Sequence, residues 1–462
     1  MDTADTPAVL LLDLPASAFA GIDLLSFTTT SRFRGVKNLP NGIHFAYAGT
    51  STAFSERHGV WFTINEAEAQ HPLFITKWDP KSETLIAETS EAELLRWRAN
   101  LGSIWREGLT PYRQSASTIT SDELQEEVIE WPRLTSKITP ALLTRVLGSD
   151  TEHCSISSAS SAKRDLEDIP GLTAKDFEDE LGAQLNFLPI DLKQTWRQGA
   201  TGRERTDAAQ DRTWALNDLI DHHCTEHEMM EVVGELQLCF LMTLTINNFS
   251  CLEQWKRLLT LVFTCRSAAA TNPDLFVAVI QTLTLQLQHC KLADSGLIDL
   301  ADEGGSLLKH LLVRFRKGLD GLSGIGVQDV VDELDDLEEY LRTEHGWQLG
   351  GTFVKSGVLE LEDGEEVRMD TTAYDEDDET GEYAPQIVDL TPEQARLLGT
   401  DVELQALHTS MSKTSLHEAT AGGSQESTSE SSDGASDDHS ESEDESDESE
   451  AAEDLEDMDA RY

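Results

Sequence analysis

The sequence predicts an α+β protein of two domains: a β-rich, sandwich-like N-terminal domain with flanking helices and an all-α C-terminal domain, followed by a disordered acidic tail. Three observations predict it. Short apolar runs alternate with period two up to about residue 90, and apolar positions recur at helical spacing from about residue 206. The last stretch, with SDDHSESEDESDESEAAEDLEDMD at its heart, holds carboxylates and serines but nothing that forms a core. The divisions are 1–150 for the β-rich domain, 151–205 for a serine-rich linker and extended segment, and 206–346 for the helical domain. An extended segment over 347–372 and the tail over 373–462 complete the chain.

The first strand is AVLLLDLP, interrupted too soon by Asp13 and Pro15 to span a membrane and preceded by no basic region of the secretory kind. Ile43, Phe45 and Tyr47 share one face of a second run, Val60, Phe62 and Ile64 line a third, and Phe74 and Trp78 belong to LFITKW. Between them LPNG closes one strand and opens the next: Pro40 presets a turn, and Asn41 and Gly42 tolerate positive φ. Arg32, Arg34 and Lys37 beside that turn could hold a phosphate or an acidic partner, or could simply decorate a solvated hairpin end. From Glu91 the period becomes helical, in EAELLRWRANLGSIW and then EVIEWPRLTSKITPALLTRVL.

The stretch SISSASSAKRD reads as mobile, and LNFLPID beyond it as extended. Ser155, Ser157 and Ser158, close to Lys163 and Arg164, are candidate phosphorylation sites in a segment whose other reading is plain flexibility. In the helical domain, Phe276, Val279, Ile280, Leu283, Leu287 and Cys290 mark a helix that Asn272 caps and Pro273 begins. Leu308, Leu311, Leu312, Phe315 and Leu319 mark another with basic residues outward, and Val330, Leu334, Leu337 and Leu341 its acidic antiparallel companion. In the tail, Ser427, Ser440 and Ser442 each have an acidic residue three positions on, a context that acidophilic kinases favour; a tail that only aids solubility is the alternative.

A formal net charge of -51 repels bare nucleic acid and anionic membranes, so a role near RNA runs through a protein partner, and basic protein surfaces are the natural target. Cys154, Cys224, Cys239, Cys251, Cys265 and Cys290 fall mostly inside apolar helical patterns, as reduced buried thiols of a cytosolic or nuclear protein do. DHHCTEHE matches the palmitoyltransferase signature in four letters, but that chemistry needs membrane spans this chain lacks. His222, His223, Cys224 and His227 remain open as a zinc site, with His223 and His227 at helical spacing; flanking the core is the other reading. No convincing nucleophile constellation or phosphate loop occurs, and no cofactor is expected.

Three blocks, GIDLLSFTTTSRFRGVKNLPNGIHF, RWRANL with PY shortly after it, and GELQLCFLMTLTINNFSCLEQWKRLLTLVFTCRSA, resemble the a-one/alpha-two repression splicing factor family in content, order and spacing. The resemblance spans roughly residues 8 to 370 and leaves out the tail beyond Thr372. It implies a helical domain similar to a VHS domain and a protein that is not an enzyme. Such a protein binds the large central protein of the U5 small nuclear ribonucleoprotein at its RNase H-like and JAB/MPN-like domains. It keeps the U5 helicase from binding early, works in cytoplasm and nucleus, and is released by phosphorylation.

In the most recognisable block Leu252, Trp255, Leu259 and Val262 form a core stripe, leaving Glu253, Gln254, Lys256 and Arg257 outward. The expected partner contacts lie instead in VLELEDGEEV, where Val358, Leu359 and Leu361 would add a strand to a partner's sheet unless the segment folds back on its own domain. Two rivals stand beside this reading: a soluble zinc-dependent enzyme built on residues 222–227, and an acidic adaptor resembling a histone chaperone that works through the tail.

Overall fold

The computed structural model describes residues 6–51, 55–65, 73–113, 130–148, 154–167, 184–292, 307–347, 349, 356–360 and 366–370. The chain divides into two compact units, Met1–Phe353 and Val354–Tyr462. Among the described residues no helix is long and apolar enough to cross a membrane.

The β-rich part comprises β1 (Ala8–Leu12), β2 (Phe19–Ile22), β3 (Leu25–Thr28), β4 (Gly35–Lys37), β5 (Gly42–Gly49), β6 (Arg57–Ile64), β7 (Leu73–Asp79), β8 (Thr84–Ala87), β9 (Leu109–Pro111) and β10 (Cys154–Ser157). They form two five-stranded sheets, ordered β8-β7-β1-β4-β9 and β10-β6-β5-β2-β3. Val9 and Leu11 of the first sheet pack against Ala46, Ala48, Val60 and Phe62 of the second, which makes a sandwich. Ala8, Leu10 and Leu12 point the other way, onto Leu101 and Trp105 of α1 (Glu91–Glu107). A strand covered on both faces needs no alternation, and AVLLL has none.

The outer face of the second sheet carries Phe45, Tyr47, Trp61 and Ile156 into the core of the helical part. Two short helices close that junction, α2 (Glu130–Leu134) and α3 (Pro140–Leu147, capped by the Thr139 hydroxyl, which accepts from Leu142 N at 3.1 Å). Trp131 of α2 stacks on Trp61 with ring centroids 5.9 Å apart, and its indole N–H donates to the Ile43 carbonyl at 2.7 Å. The outer face of the second sheet and the helices therefore share one continuous apolar core, separate from the interior of the sandwich.

The helical part contains α4 (Lys163–Glu167), α5 (Gly202–Gln210), α6 (Thr213–His223), α7 (Met230–Ile246), α8 (Phe249–Phe263), α9 (Ala268–Thr271), α10 (Pro273–Leu292), α11 (Leu307–Leu319) and α12 (Ile325–His345). Helix α7 is buried almost all round, as a central helix must be if it is apolar on every side. The stripes expected on α10, α11 and α12 are the buried faces observed. Helix α12 packs chiefly along α10, and Arg316 of α11 pairs with Asp335 of α12 across the shorter contact between those two.

Three local expectations are revised. LPNG does not close a hairpin, because β4 and β5 lie in different sheets and the segment carries the chain from one to the other. Positive φ falls at Asn38 (62°) and Gly42 (136°) rather than at Asn41. The stretch SISSASSAKRD, expected to be mobile, forms β10 and α4, with β10 paired antiparallel to β6.

Candidate interaction and switch residues

The serine-rich segment is built into the fold from both sides. Cys154 and Ile156 of β10 turn toward the helical core, so Ser155 and Ser157 take the opposite face; Ser155 is exposed and Ser157 buried. The chain then turns tightly: Ser160 Oγ accepts from Ser157 N at 2.9 Å, and Ser157 Oγ accepts from Ala159 N at 3.1 Å. Half-buried Ser158 accepts from Arg57 N through its hydroxyl at 3.1 Å and donates its own N–H to the Arg57 carbonyl at 2.8 Å.

That turn docks on the junction of α7 and α8. Asn247 ends α7 in the left-handed region at φ 57°, a conformation asparagine tolerates, and this throws Asn248 into the interior. The Asn248 side chain does two jobs. Its oxygen accepts from Cys251 N at 2.8 Å and caps α8, while its amide donates to the carbonyls of Ser157 at 2.9 Å and Ser160 at 2.7 Å. Arg57 reinforces the dock by donating to the Thr245 carbonyl at 3.0 Å, where α7 ends, with its guanidinium 4.5 Å from the Phe19 ring centroid.

A second buried polar centre holds the segment that follows. Glu235, wholly buried on α7, accepts from Arg145 Nη2 at 2.7 Å, from Gln254 Nε2 at 2.8 Å and from Leu188 N at 3.1 Å. Arg145 also donates to Glu231 at 2.5 Å, and Gln254 to the Leu188 carbonyl at 2.9 Å. Burial pushes the Glu235 carboxyl up, and the Arg145 charge opposes the shift without cancelling it. Gln254 was expected to point outward with Glu253, Lys256 and Arg257; it is instead buried because only an inward amide satisfies both Glu235 and the Leu188 backbone. Arg257 likewise turns to Asp165 of α4 at 2.5 Å.

In the sandwich, Asp23 gathers three partners. His44 Nδ1 lies 2.7 Å from Asp23 Oδ2, Tyr112 donates to the same oxygen at 2.6 Å, and Phe45 N donates to Oδ1 at 2.9 Å. His44 Nε2 is 2.9 Å from the Pro40 carbonyl, so both ring nitrogens face acceptors and the imidazolium satisfies both at once. Burial works against that charge, but Asp23 outweighs it and the His44 pKa is raised. Every polar group here is spent on fixing the 38–44 crossing.

The histidine cluster does not assemble. Helix α6 ends at His223, and a 3-10 turn over Thr225–His227 with positive φ at Glu226 and His227 breaks the spacing that would align His223 with His227. His222, His223 and His227 are exposed; Cys224 is buried, and burial first, then Glu231, pushes its thiol up to about 12. Among the described residues no three His, Cys, Asp or Glu side chains are placed to hold a metal ion.

In the second unit, the segment expected to be extended forms β11 (Ser356–Glu360), paired antiparallel with β12 (Glu366–Asp370). Val358 stands opposite Arg368 and Leu359 opposite Val367. Leu361, Ser427, Ser440 and Ser442 lie outside the described residues.

The family model for the AAR2 N-terminal domain matches residues 5–148, and that for the AAR2 C-terminal repeat region matches residues 187–350, together more than half of the chain. The chain belongs to the AAR2 family. It is 27% identical over 330 residues to a human protein named Protein AAR2 homolog, covering 66% of this chain and 81% of that one. A Caenorhabditis elegans protein of the same name is 23% identical over 364 residues, 73% of this chain and 93% of the relative. The Saccharomyces cerevisiae protein named A1 cistron-splicing factor AAR2 is 22% identical over 268 residues, 55% of this chain and 69% of the relative.

The serine turn, its strand β10 and helix α4 fall between the two AAR2 matches, while the residues that seize the turn, Arg57 and Asn248, lie inside them. The AAR2 scaffold thus supplies the dock, and the docked segment lies outside both family matches.

Proposed function

We propose that this AAR2-family protein is a non-catalytic splicing factor of cytoplasm and nucleus that works by occupying another protein. In this reading it binds the large central protein of the U5 particle at the RNase H-like and JAB/MPN-like domains, keeps the U5 helicase off during assembly, and leaves when phosphorylated. The observation that carries the reading is the match to the family across both the sandwich and the helical region, with a yeast relative named as a splicing factor. The segment from Trp347 to Thr372 supplies the partner strand, with Val358, Leu359 and Leu361 as its apolar contacts. Because β11 already pairs with β12 along one edge, a partner sheet takes the other edge or displaces β12.

The release element in this reading is the serine turn. Ser155 is open to a kinase in the folded protein, whereas Ser157 becomes reachable only when β10 lifts from Asn248. Ser427, Ser440 and Ser442 are the tail candidates.

Affinity purification of the tagged full chain, followed by identification of what co-purifies, tests the proposal. The expected companion is the central U5 protein without the helicase. Recovery of no spliceosomal protein overturns the reading, and loss of all binding on cutting at Thr372 assigns function to the acidic tail. Deletion of residues 352–370 is expected to weaken the complex while residues 6–349 stay folded.

A further inference from the structure

The basic cluster beside LPNG acquires neighbours in the fold. Parallel pairing of β4 with β9 sets Gly35 opposite Leu109, and the Arg34 N–H donates to the Gly108 carbonyl at 2.8 Å. This brings the 32–34 segment against the end of α1. A Cβ placed on Gly108 would lie 2.9 Å from Arg34 Cγ and 3.3 Å from the Arg32 carbonyl oxygen, so these three residues touch. Arg106 precedes Gly108 by two positions, whereas Arg113 lies at the far end of β9, beyond the Pro111–Lys37 pair, and does not join them. Arg32, Arg34 and Arg106 are exposed.

They are also held and unspent. Arg34 Nη1 donates to the carbonyls of Ser31 at 3.2 Å and Phe33 at 2.8 Å, and Arg106 Nε to the Gly102 carbonyl at 3.4 Å. Among the described residues none of Arg32, Arg34 and Arg106 is ion-paired. Lys37 does not join them, since its ammonium is sunk over the Trp105 ring, 5.3 Å from the centroid, and donates to the Trp105 carbonyl. The bases on α11 offer a contrast: Arg316 is answered by Asp335 of α12. In a chain of net charge -51, three neighbouring arginines beside Glu107, none of them ion-paired among the described residues, are a local reversal of sign.

We propose that Arg32, Arg34 and Arg106, gathered around Gly108, form a docking patch for an acidic peptide segment of a partner protein. Guanidinium forks match carboxylates bidentately, and two of these are already ordered by backbone carbonyls, which lowers the entropic cost of binding. Two features favour a peptide over a nucleic acid. The patch is confined to the end of one helix and one crossing, a span suited to a few charges. Among the described residues it also presents no exposed aromatic ring for bases to stack on: Phe33 is half-buried, and so is Tyr112, with its hydroxyl on Asp23. Edge addition is not the mode, because Pro111 blunts β9. Side-chain pairing is. The patch serves equally whether or not the partner is spliceosomal, so its failure and that of the splicing reading are separate results.

The test is titration of the full chain into a fluorescein-labelled decaglutamate peptide and, in parallel, a labelled uridine decamer of RNA, at about 50 mM and about 150 mM salt. Saturable peptide binding is expected, weakened about tenfold or more by R34E/R106E and weakened by salt. The control pair K309E/R314E on α11 is expected to leave it unchanged. Since Arg34 also fastens its own loop, R106E alone, whose guanidinium bonds only within its own helix, is the second variant and is expected to weaken binding severalfold with an unchanged melting temperature. Absence of peptide binding, equal binding by R106E and the wild type, or tighter binding of the RNA with the same arginine dependence would each overturn the proposal.

Discussion

The side-chain amide of Asn248 donates to the carbonyl of Ser157 at 2.9 Å, so the residue that starts α8 also holds the end of an edge strand 91 positions earlier in the chain. Cap and clasp are one side chain. Replacing Asn248 by Ala strands two buried carbonyls and the Cys251 N–H together, at a cost of about 2 to 4 kcal/mol. Urea unfolding should show the lowered midpoint, and amide exchange should show β10 losing protection while β5 keeps it. A uniform loss across the sandwich would mean the clasp is not local.

Substitution by Glu separates the two strand serines. Ser155 is exposed, so Ser155→Glu should shift stability by less than about 0.5 kcal/mol. Ser157 is buried between the Asn248 amide and the Ser160 hydroxyl, and Ser157→Glu forces a charge into a site already filled, costing about 3 kcal/mol or more. Melting temperatures of the two variants decide it; equal temperatures would refute the distinction. Only a serine whose modification opens β10 can act as a release switch through the fold.

Much of this architecture was legible because apolar spacing reports faces directly. Phe45 and Tyr47 on one side of β5, Leu308 to Leu319 on α11, and Val330 to Leu341 on α12 all stand where their periodicity places them. What local spacing does not carry is polar and long-range. Glu235 is an acid inside the apolar run GELQLCFLM, an anomaly that in itself announces a buried partner, but Arg145 lies 90 positions away and no local pattern names it. Gln254 looks like an ordinary surface residue until Leu188 is laid beside it. Strand β10 has the alternation, Cys154 and Ile156 against Ser155 and Ser157, yet four residues, two of them serine and more serines following, read as loop. The histidine spacing misled for the opposite reason: i and i+4 share a face only within one helix, and α6 ends between them.

The Glu235 centre should behave as a unit. Glu235→Ala leaves Arg145 half-answered and the Leu188 N–H and Gln254 amide without their acceptor, a loss of about 3 to 5 kcal/mol. Arg145→Met should cost a similar amount by stranding the buried carboxylate. The double variant should cost clearly less than the two together, which guanidinium unfolding of all four proteins measures. Additive losses would show that the pair is not coupled and that the segment from Asn186 to Ile190 is held by its apolar residues alone.

The two buried histidines of the sandwich predict opposite responses to pH. His58 Nδ1 accepts from Leu85 N at 3.0 Å, which requires the neutral ring, and burial pushes its pKa down to about 4. The unfolded chain, with an ordinary histidine near 6.5, therefore binds a proton that the folded protein refuses. Stability from this group is whole above that value and drains away as pH falls, by about 2 to 3 kcal/mol at pH 4.5. His44, raised by Asp23, contributes in the reverse sense: its share is full in acid and fades as pH rises through its elevated pKa. Asparagine at position 58 keeps an acceptor near the Leu85 amide without the titration. In H58N, urea midpoints measured at pH 7, 5.5 and 4.5 should decline less steeply than in the wild type, although the smaller side chain costs about 1 kcal/mol at neutral pH. Parallel curves would locate the acid sensitivity elsewhere, whereas a flattened one assigns it to a single imidazole between the two sheets.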